Sequence, residues 1–279
     1  MAGQASMASK LSLVIKHGTA NFIGLHSQPS QFRPQLVSCQ VGQPRATVKV
    51  MLIAFTNTKG GVGKSTLASH LALWLFDKGY RVALLDSDEQ ETAARWVRAA
   101  EPTMTVVTAT EMEVIHRVCT ELLAIHDILV ADTPGQESDA ARTVTLLCDL
   151  AIVPLQPSKP DLRAIKDALK NIRLAQEISG TGRPEAHIVL NLTAKIDVQT
   201  KSLKKQLQEA GFPVANNKVR RLNALRDACD TAVTRMKASV GGEAARDLDA
   251  LFTELLGKRL EIIARPKNAE INIGKAANE

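Results

Sequence analysis

Thr56-Asn57-Thr58-Lys59-Gly60-Gly61-Val62-Gly63-Lys64-Ser65-Thr66 decides the reading of this chain. The apolar run Leu52-Ile53-Ala54-Phe55 before it reads as a buried strand. Leu67-Ala68-Ser69-His70-Leu71-Ala72-Leu73-Trp74-Leu75 after it reads as a helix packed on a sheet. Strand, glycine-rich turn ending in Gly-Lys-Ser, then helix is the context that a phosphate-binding P-loop requires. Glycines let the backbone wrap an anion closely, and loop N–H groups with the helix N-terminus supply a fixed positive field. In that geometry Lys64 reaches the β- and γ-phosphates of a nucleoside triphosphate, and the Ser65 hydroxyl can ligate magnesium. The bare string also arises as a plain glycine turn; the flanking strand and helix favour the phosphate site. Gly60, Gly61, Val62, Gly63, Lys64, Ser65 and Thr66 are therefore the predicted nucleotide-binding segment.

Working outward, Arg81-Val82-Ala83-Leu84-Leu85 reads as the next strand and ends in Asp86-Ser87-Asp88-Glu89-Gln90. Acids at the carboxyl end of a parallel strand sit where α/β sheets bind ligands. The same acids also suit capping of a helix that starts near Glu91. Asp127-Ile128-Leu129-Val130-Ala131-Asp132, followed by Thr133-Pro134-Gly135, is the expected second half of a P-loop site, with Asp132 as the acid that holds magnesium. Asp-Thr-Pro-Gly is also a good turn, but downstream of a P-loop it takes on the metal-binding meaning. Further strands are expected at 104–107, 150–154 and 187–191, and helices near 111–124, 161–178 and 243–263. This alternation predicts one doubly wound α/β domain over 51–279, with a mostly parallel sheet and helices on both faces.

Composition bounds the function. Of the 279 residues 45% are apolar, enough for a sizeable core, and no run is long enough to span a bilayer. Aromatics are 3%, which argues against base-stacking platforms for single strands. Cys39, Cys119, Cys148 and Cys229 lie far apart with no C-x-x-C pair, against a zinc site or disulfide framework and in keeping with a reducing cytosol. The net charge of +6 is unevenly spread. Residues 1–50 hold five Lys/Arg and no acid, leaving 30 basic against 29 acidic residues in 51–279. That acid-free, Ser-containing start reads as a transit peptide, a vector-derived leader or translation from upstream of the natural start; with Met51 directly before the first strand, a non-native or dispensable extension without regular structure is expected.

Lys59-Gly60-Gly61-Val62-Gly63-Lys64-Ser65-Thr66 resembles the deviant Walker A motif of the ParA/MinD family of ATPases. Within one subunit a second lysine is not needed to cradle phosphates; the resemblance implies that Lys59 reaches the nucleotide of a dimer partner. Asp86-Ser87-Asp88-Glu89-Gln90 is similar to the family's D-x-D-P-Q segment, which implies that Asp88 orients the attacking water and Asp86 lies near the magnesium ion. Glu89 stands where the family has proline, so the shape of that loop is open. Gly135 is implied near the γ-phosphate, and Asn191, after a strand, resembles the residue that contacts the adenine edge; as a plain strand-ending turn residue it reads nearly as well.

The resemblance covers 51–279 and implies a P-loop NTPase fold of the SIMIBI kind. It further implies an ATP- and magnesium-dependent homodimer, non-specific DNA binding in the ATP state, and a ParB-like centromere-binding partner that stimulates hydrolysis. Such a protein is cytoplasmic and nucleoid-associated in a bacterium, and segregates plasmid or chromosomal DNA. Residues 195–237 carry ten basic and four acidic residues, and a local basic patch on a nearly neutral body is what a phosphate-backbone footprint looks like. Lys195, Lys218, Arg220 and Arg221 are the candidates; a solvated basic helix face is the plainer reading. The polar residues after the last helix do not form the basic amphipathic anchor of the family's cell-division branch, so no membrane is expected. A rival within the family positions a non-DNA cargo such as chemoreceptor clusters or carboxysomes. Rivals outside it are a cysteine-bridged iron–sulfur enzyme of the same fold and an inactive DNA-binding module.

Overall fold

The computed structural model describes residues 49–157, 161–194, 198–209 and 211–263, and three short strands nearer the N-terminus. The chain divides into two units, Met1–Ala46 and Thr47–Glu279. In the first, β1 (Val14–Lys16), β2 (Thr19–Asn21) and β3 (Cys39–Gln40) pair antiparallel in that order. Backbone groups at these paired positions satisfy one another.

The second unit is built on a six-stranded sheet. Its strands are β4 (Met51–Phe55), β5 (Val82–Asp86), β6 (Thr105–Thr108), β7 (Ile128–Asp132), β8 (Leu150–Leu155) and β9 (Glu185–Leu190). The order is β6-β5-β7-β4-β8-β9 and every neighbouring pair is parallel. The helices are α1 (Lys64–Asp77), α2 (Thr92–Ala100), α3 (Met112–Ile125), α4 (Asp139–Leu147), α5 (Asp161–Ser179), α6 (Val198–Glu209), α7 (Asn223–Asp227) and α8 (Ala238–Leu260). This is the doubly wound architecture expected for 51–279.

Successive strand residues point to opposite faces, and here both faces are apolar, as a parallel sheet covered on two sides requires. Met51, Ile53, Phe55, Leu84 and Ile152 join one core with α1, α2 and α8. Leu52, Ala54, Leu85, Ala131 and Val153 join another with α3, α4 and α5. Register brings the carboxyl ends together: Phe55 and Asp86 each lie opposite Asp132. The helices that follow β4 and β8 lie on opposite faces, so a crevice opens between these two strand ends, the place where such sheets bind ligands.

Two elements differ from expectation. The last helix starts at Ala238, earlier than the expected 243, although Gly241 and Gly242 lower its intrinsic propensity. A Cβ on Gly241 would lie 2.7 Å from the Val233 carbonyl oxygen, so the small residue lets α8 pack on the 3-10 turn Val233–Arg235. The segment 213–221 then extends the sheet beside β9 through parallel bridges Ile188–Val214 and Thr193–Arg220. The Glu254 carboxylate of α8 fastens this edge by accepting from the Asn216 and Asn217 backbone N–H groups at 2.6 and 2.7 Å.

Candidate nucleotide-binding site

The loop after β4 folds as the glycine spacing demands. Gly61 and Gly63 sit at φ 75° and 94°, left-handed values that cost a side-chain-bearing residue energy. From Gly63 the chain enters α1, whose N-terminus has no side-chain cap and no acid in its first turn. Its leading N–H groups and the helix dipole are thereby left to an anion. Lys64 is buried, and its ammonium donates to the Lys59 carbonyl at 3.2 Å. Burial pushes the Lys64 pKa down, while Asp132 and Asp88 pull it back up. The cation is thus held in the loop's mouth between two acids and an anion-binding helix end.

Asp132 is fully buried and neither carboxylate oxygen has a hydrogen-bond partner. Burial, reinforced by Asp86, drives its pKa up to about 8, although the neighbouring Ser65 hydroxyl and Lys64 favour the charged form. An orphaned buried carboxylate beside a serine hydroxyl is a donor pair that fits a hard divalent cation. Among the described residues no three His, Cys, Asp or Glu side chains cluster as a metal cage. Magnesium is usually held by one or two protein oxygens with phosphate and water completing its shell.

Asp86 lies opposite Asp132 at the strand ends and also braces the backbone. It is fully buried and uses both oxygens on backbone: Oδ1 accepts from Asp88 N–H at 3.1 Å and Oδ2 from Ala94 N–H at 2.9 Å. The capping reading of these acids therefore holds for Asp86, which ties the start of α2 to the loop. Asp88 is half-buried, and its Oδ1 accepts from Gln90 N–H at 2.9 Å. In place of the family's proline, Glu89 sits exposed in a turn closed by Glu91 N–H donating to the Asp88 carbonyl; Glu91 takes φ 47°. Asp88, Pro134 and Gly135 line one open cleft with Gln136 and Ser138.

Asn191 is buried, and its side-chain amide donates to the Val62 carbonyl at 2.7 Å. It thus grips the P-loop backbone, a role that its position after a strand did not disclose. Sequence reasoning also missed three buried polar braces. Asn57 donates to the Pro154 carbonyl at 2.7 Å and accepts from Lys59 N–H at 3.0 Å. The Ser87 hydroxyl donates to the Asp132 carbonyl at 2.8 Å, and the Thr133 hydroxyl to the Phe55 carbonyl at 2.9 Å. The signal for them was a small polar residue within two positions of the end of each apolar strand.

The basic candidates separate. Lys195 lies outside the described residues. Arg220 is paired within the protein: its guanidinium binds Asp247 through Nε and Nη2, both at 2.8 Å, and approaches Glu243 at 3.3 Å. Those hydrogen bonds hold its pKa higher still. Arg235, another of the ten, pairs with Asp77 and Glu101. Arg221 is exposed, and the half-exposed Lys218 donates to the Ala194 carbonyl at 3.4 Å.

A parallel six-stranded sheet with this loop and acid at its carboxyl edge defines a P-loop nucleotide-binding protein. Residues 53–233 match the CobQ/CobB/MinD/ParA nucleotide binding domain, and the chain belongs to that family. It is 28% identical over 220 residues to the maintenance of carboxysome distribution protein A of Halothiobacillus neapolitanus, covering 76% of this chain and 99% of that one. With protein ParA of Rhizobium radiobacter it shares 27% over 143 residues, half of this chain and 63% of the relative. Among solved structures, the Cyanothece McdA–ATP complex superposes with a TM-score of 0.60 at 10% identity, over 75% of this chain and 97% of that one. Among the described residues no helix is long and apolar enough to cross a membrane.

Proposed function

We propose that this chain is an ATPase that closes into a dimer over ATP and uses that cycle to partition DNA. The observation that carries the reading is the P-loop mouth, where the Lys64 ammonium donates to the Lys59 carbonyl and, among the described residues, the nearby buried Asp132 carboxylate has no hydrogen-bond partner. Lys64 and the α1 N-terminus bind the phosphates, Ser65 and Asp132 hold magnesium, and Asp88 orients water. Asp86 supports that arrangement by fixing the Asp88 loop. Magnesium, when bound, supplies further neutralisation of phosphate charge. Lys59 acts on the partner's nucleotide, and Asn191 sets the P-loop beside the base. Turnover is slow until a ParB-like protein stimulates it, and catalysis rests on charge placement more than on covalent chemistry. Lys218, Arg221 and Lys195 supply the DNA contact. The site of action is the bacterial cytoplasm, on the nucleoid.

A second reading has a specific observation behind it. The match that spans 99% of a relative is to a carboxysome distribution protein, which favours positioning of a protein cargo. The deciding experiment measures binding to non-specific duplex DNA with ATP, with ADP and without nucleotide, for wild type and Lys64→Ala. ATP-dependent, salt-sensitive binding that the variant loses supports the nucleotide-gated DNA cycle. Binding indifferent to nucleotide, or none, rejects that cycle. Adding candidate partners then separates the cargoes: a centromere-binding protein that speeds turnover supports DNA partition, a cargo-shell adaptor the second reading.

A further inference from the structure

Two buried asparagines connect the P-loop to one strand end. Asn57, 2% exposed, spans from the Pro154 carbonyl to the Lys59 backbone N–H, donating to the first and accepting from the second. Asn191 makes a second link further along by donating twice: its backbone N–H to the Leu155 carbonyl and its side chain to the Val62 carbonyl. Pro154 and Leu155 close β8, after which the chain runs on to α5. The Lys59 carbonyl in turn receives the Lys64 ammonium. Both backbone groups of Lys59 are therefore fixed: its N–H donates to Asn57 and its carbonyl accepts from Lys64.

We infer that Asn57 is a positioning residue for Lys59, holding the backbone of that lysine in register with the β8–α5 connection. A buried amide that satisfies one donor and one acceptor on separate segments fixes their separation, because breaking either bond leaves a buried polar group unpaired. Aligned in this way, Lys59 presents its side chain from a set backbone position, and displacement of the β8 end is passed to it through two hydrogen bonds. The inference rests on the proposed role of Lys59 at a second subunit's nucleotide.

The test is a double-mutant cycle with Asn57→Ala, Lys59→Ala and the double variant, reading three quantities: magnesium–ADP affinity of the single subunit, ATP-dependent dimerisation by light scattering, and melting temperature. The expected result is that Asn57→Ala keeps ADP affinity within about twofold and weakens ATP-dependent dimerisation on the order of tenfold. The double variant should be no worse than Lys59→Ala, since residues acting as a unit are not additive. Losses that multiply in the double variant, or ADP affinity falling in step with dimerisation, would overturn the inference. If Asn57→Ala does not fold, the same cycle and criteria apply to Asn57→Asp, which keeps the acceptor for Lys59 N–H but removes the donor to the Pro154 carbonyl and so cuts the link from β8 to Lys59. Lys59→Ala serves as the control on the underlying reading. Intact dimerisation there overturns both, whereas loss there with a silent Asn57→Ala overturns only the role given to Asn57.

Discussion

Gly135 and Gly60 touch backbone to backbone. A Cβ placed on Gly135 would lie 2.9 Å from the Gly60 Cα, 3.2 Å from its nitrogen and 3.4 Å from the Lys64 ammonium. The loop after β7 therefore rests directly on the P-loop, with no side chain between them to absorb a movement. Gly135→Ala should displace one loop from the other. We expect ATP turnover to fall by about tenfold or more, with a stability loss of ~1–3 kcal/mol from overpacking. Steady-state kinetics and thermal melting measure the two separately. Unchanged turnover would show that the contact has no part in the reaction.

Asp132 makes the nucleotide-free site costly. Its folded pKa of about 8 lies above that of an unfolded carboxylate, so the folded chain retains a proton that the unfolded chain releases. Stability without ligand should therefore fall as pH rises from about 4 to about 8. Asp132→Asn removes the cost, and the variant should melt higher than wild type near pH 8, by on the order of 1–3 kcal/mol, while losing magnesium-dependent nucleotide binding. Wild type should also release protons on taking up magnesium–ATP, detectable by calorimetry in buffers of different ionisation enthalpy. Equal melting of the two proteins at pH 8 would contradict the argument.

His70 governs the acid limb. It is buried in α1, its Nδ1–H donates to the Thr66 carbonyl at 2.8 Å, and its Nε2 has no partner. Burial lowers its pKa, opposed by the bond to Thr66. Here the unfolded chain takes up the proton first, so stability is lost as pH falls below the ordinary histidine value of about 6.5. His126, also buried and also lowered, adds in the same direction. Replacing His70 by leucine should flatten the melting-temperature profile between about pH 6.5 and 5. A profile as steep as wild type would assign the acid limb to other groups.

Arg220 and Arg221 are neighbours with opposite expected phenotypes. Arg220→Ala breaks a two-pronged pair with Asp247 that joins the sheet edge to α8, and should cost on the order of 1–3 kcal/mol of stability. Arg221→Ala should leave melting unchanged and weaken ATP-dependent DNA binding while lowering its salt dependence. DNA titrations at several salt concentrations, run beside melting curves, distinguish these outcomes. Loss of DNA affinity in a fully stable Arg220→Ala would reverse the assignment.

The strands were legible because apolar runs bounded by Asp, Gly and Pro leave few alternatives, and the Gly-Lys-Ser turn located the phosphate end of the sheet. The polar braces were not. Whether Asn57 or Asn191 reaches across to another segment depends on which strand ends the fold sets side by side, and that information is absent from local pattern. Asp86 shows the same limit: that its two oxygens also accept from the Asp88 and Ala94 N–H groups depends on how the loop folds back, which the strand-end pattern does not carry. Arg220 read as free charge because its partner lies on α8, distant in sequence but adjacent in the fold. The early start of α8 was hidden by two glycines whose low propensity is outweighed by packing.

The Gly63–Asn191 contact has a consequence for how such a sequence can change over generations. A Cβ on Gly63 would overlap the Asn191 side-chain amide, and the backbone at Gly63 is left-handed besides. Asn191 can shorten without collision, leaving the Val62 carbonyl to water, whereas Gly63 cannot lengthen even after Asn191 has shortened. Mutational paths through this pair therefore run in one direction only, and of the two positions the glycine should be the slower to vary among descendants of the chain.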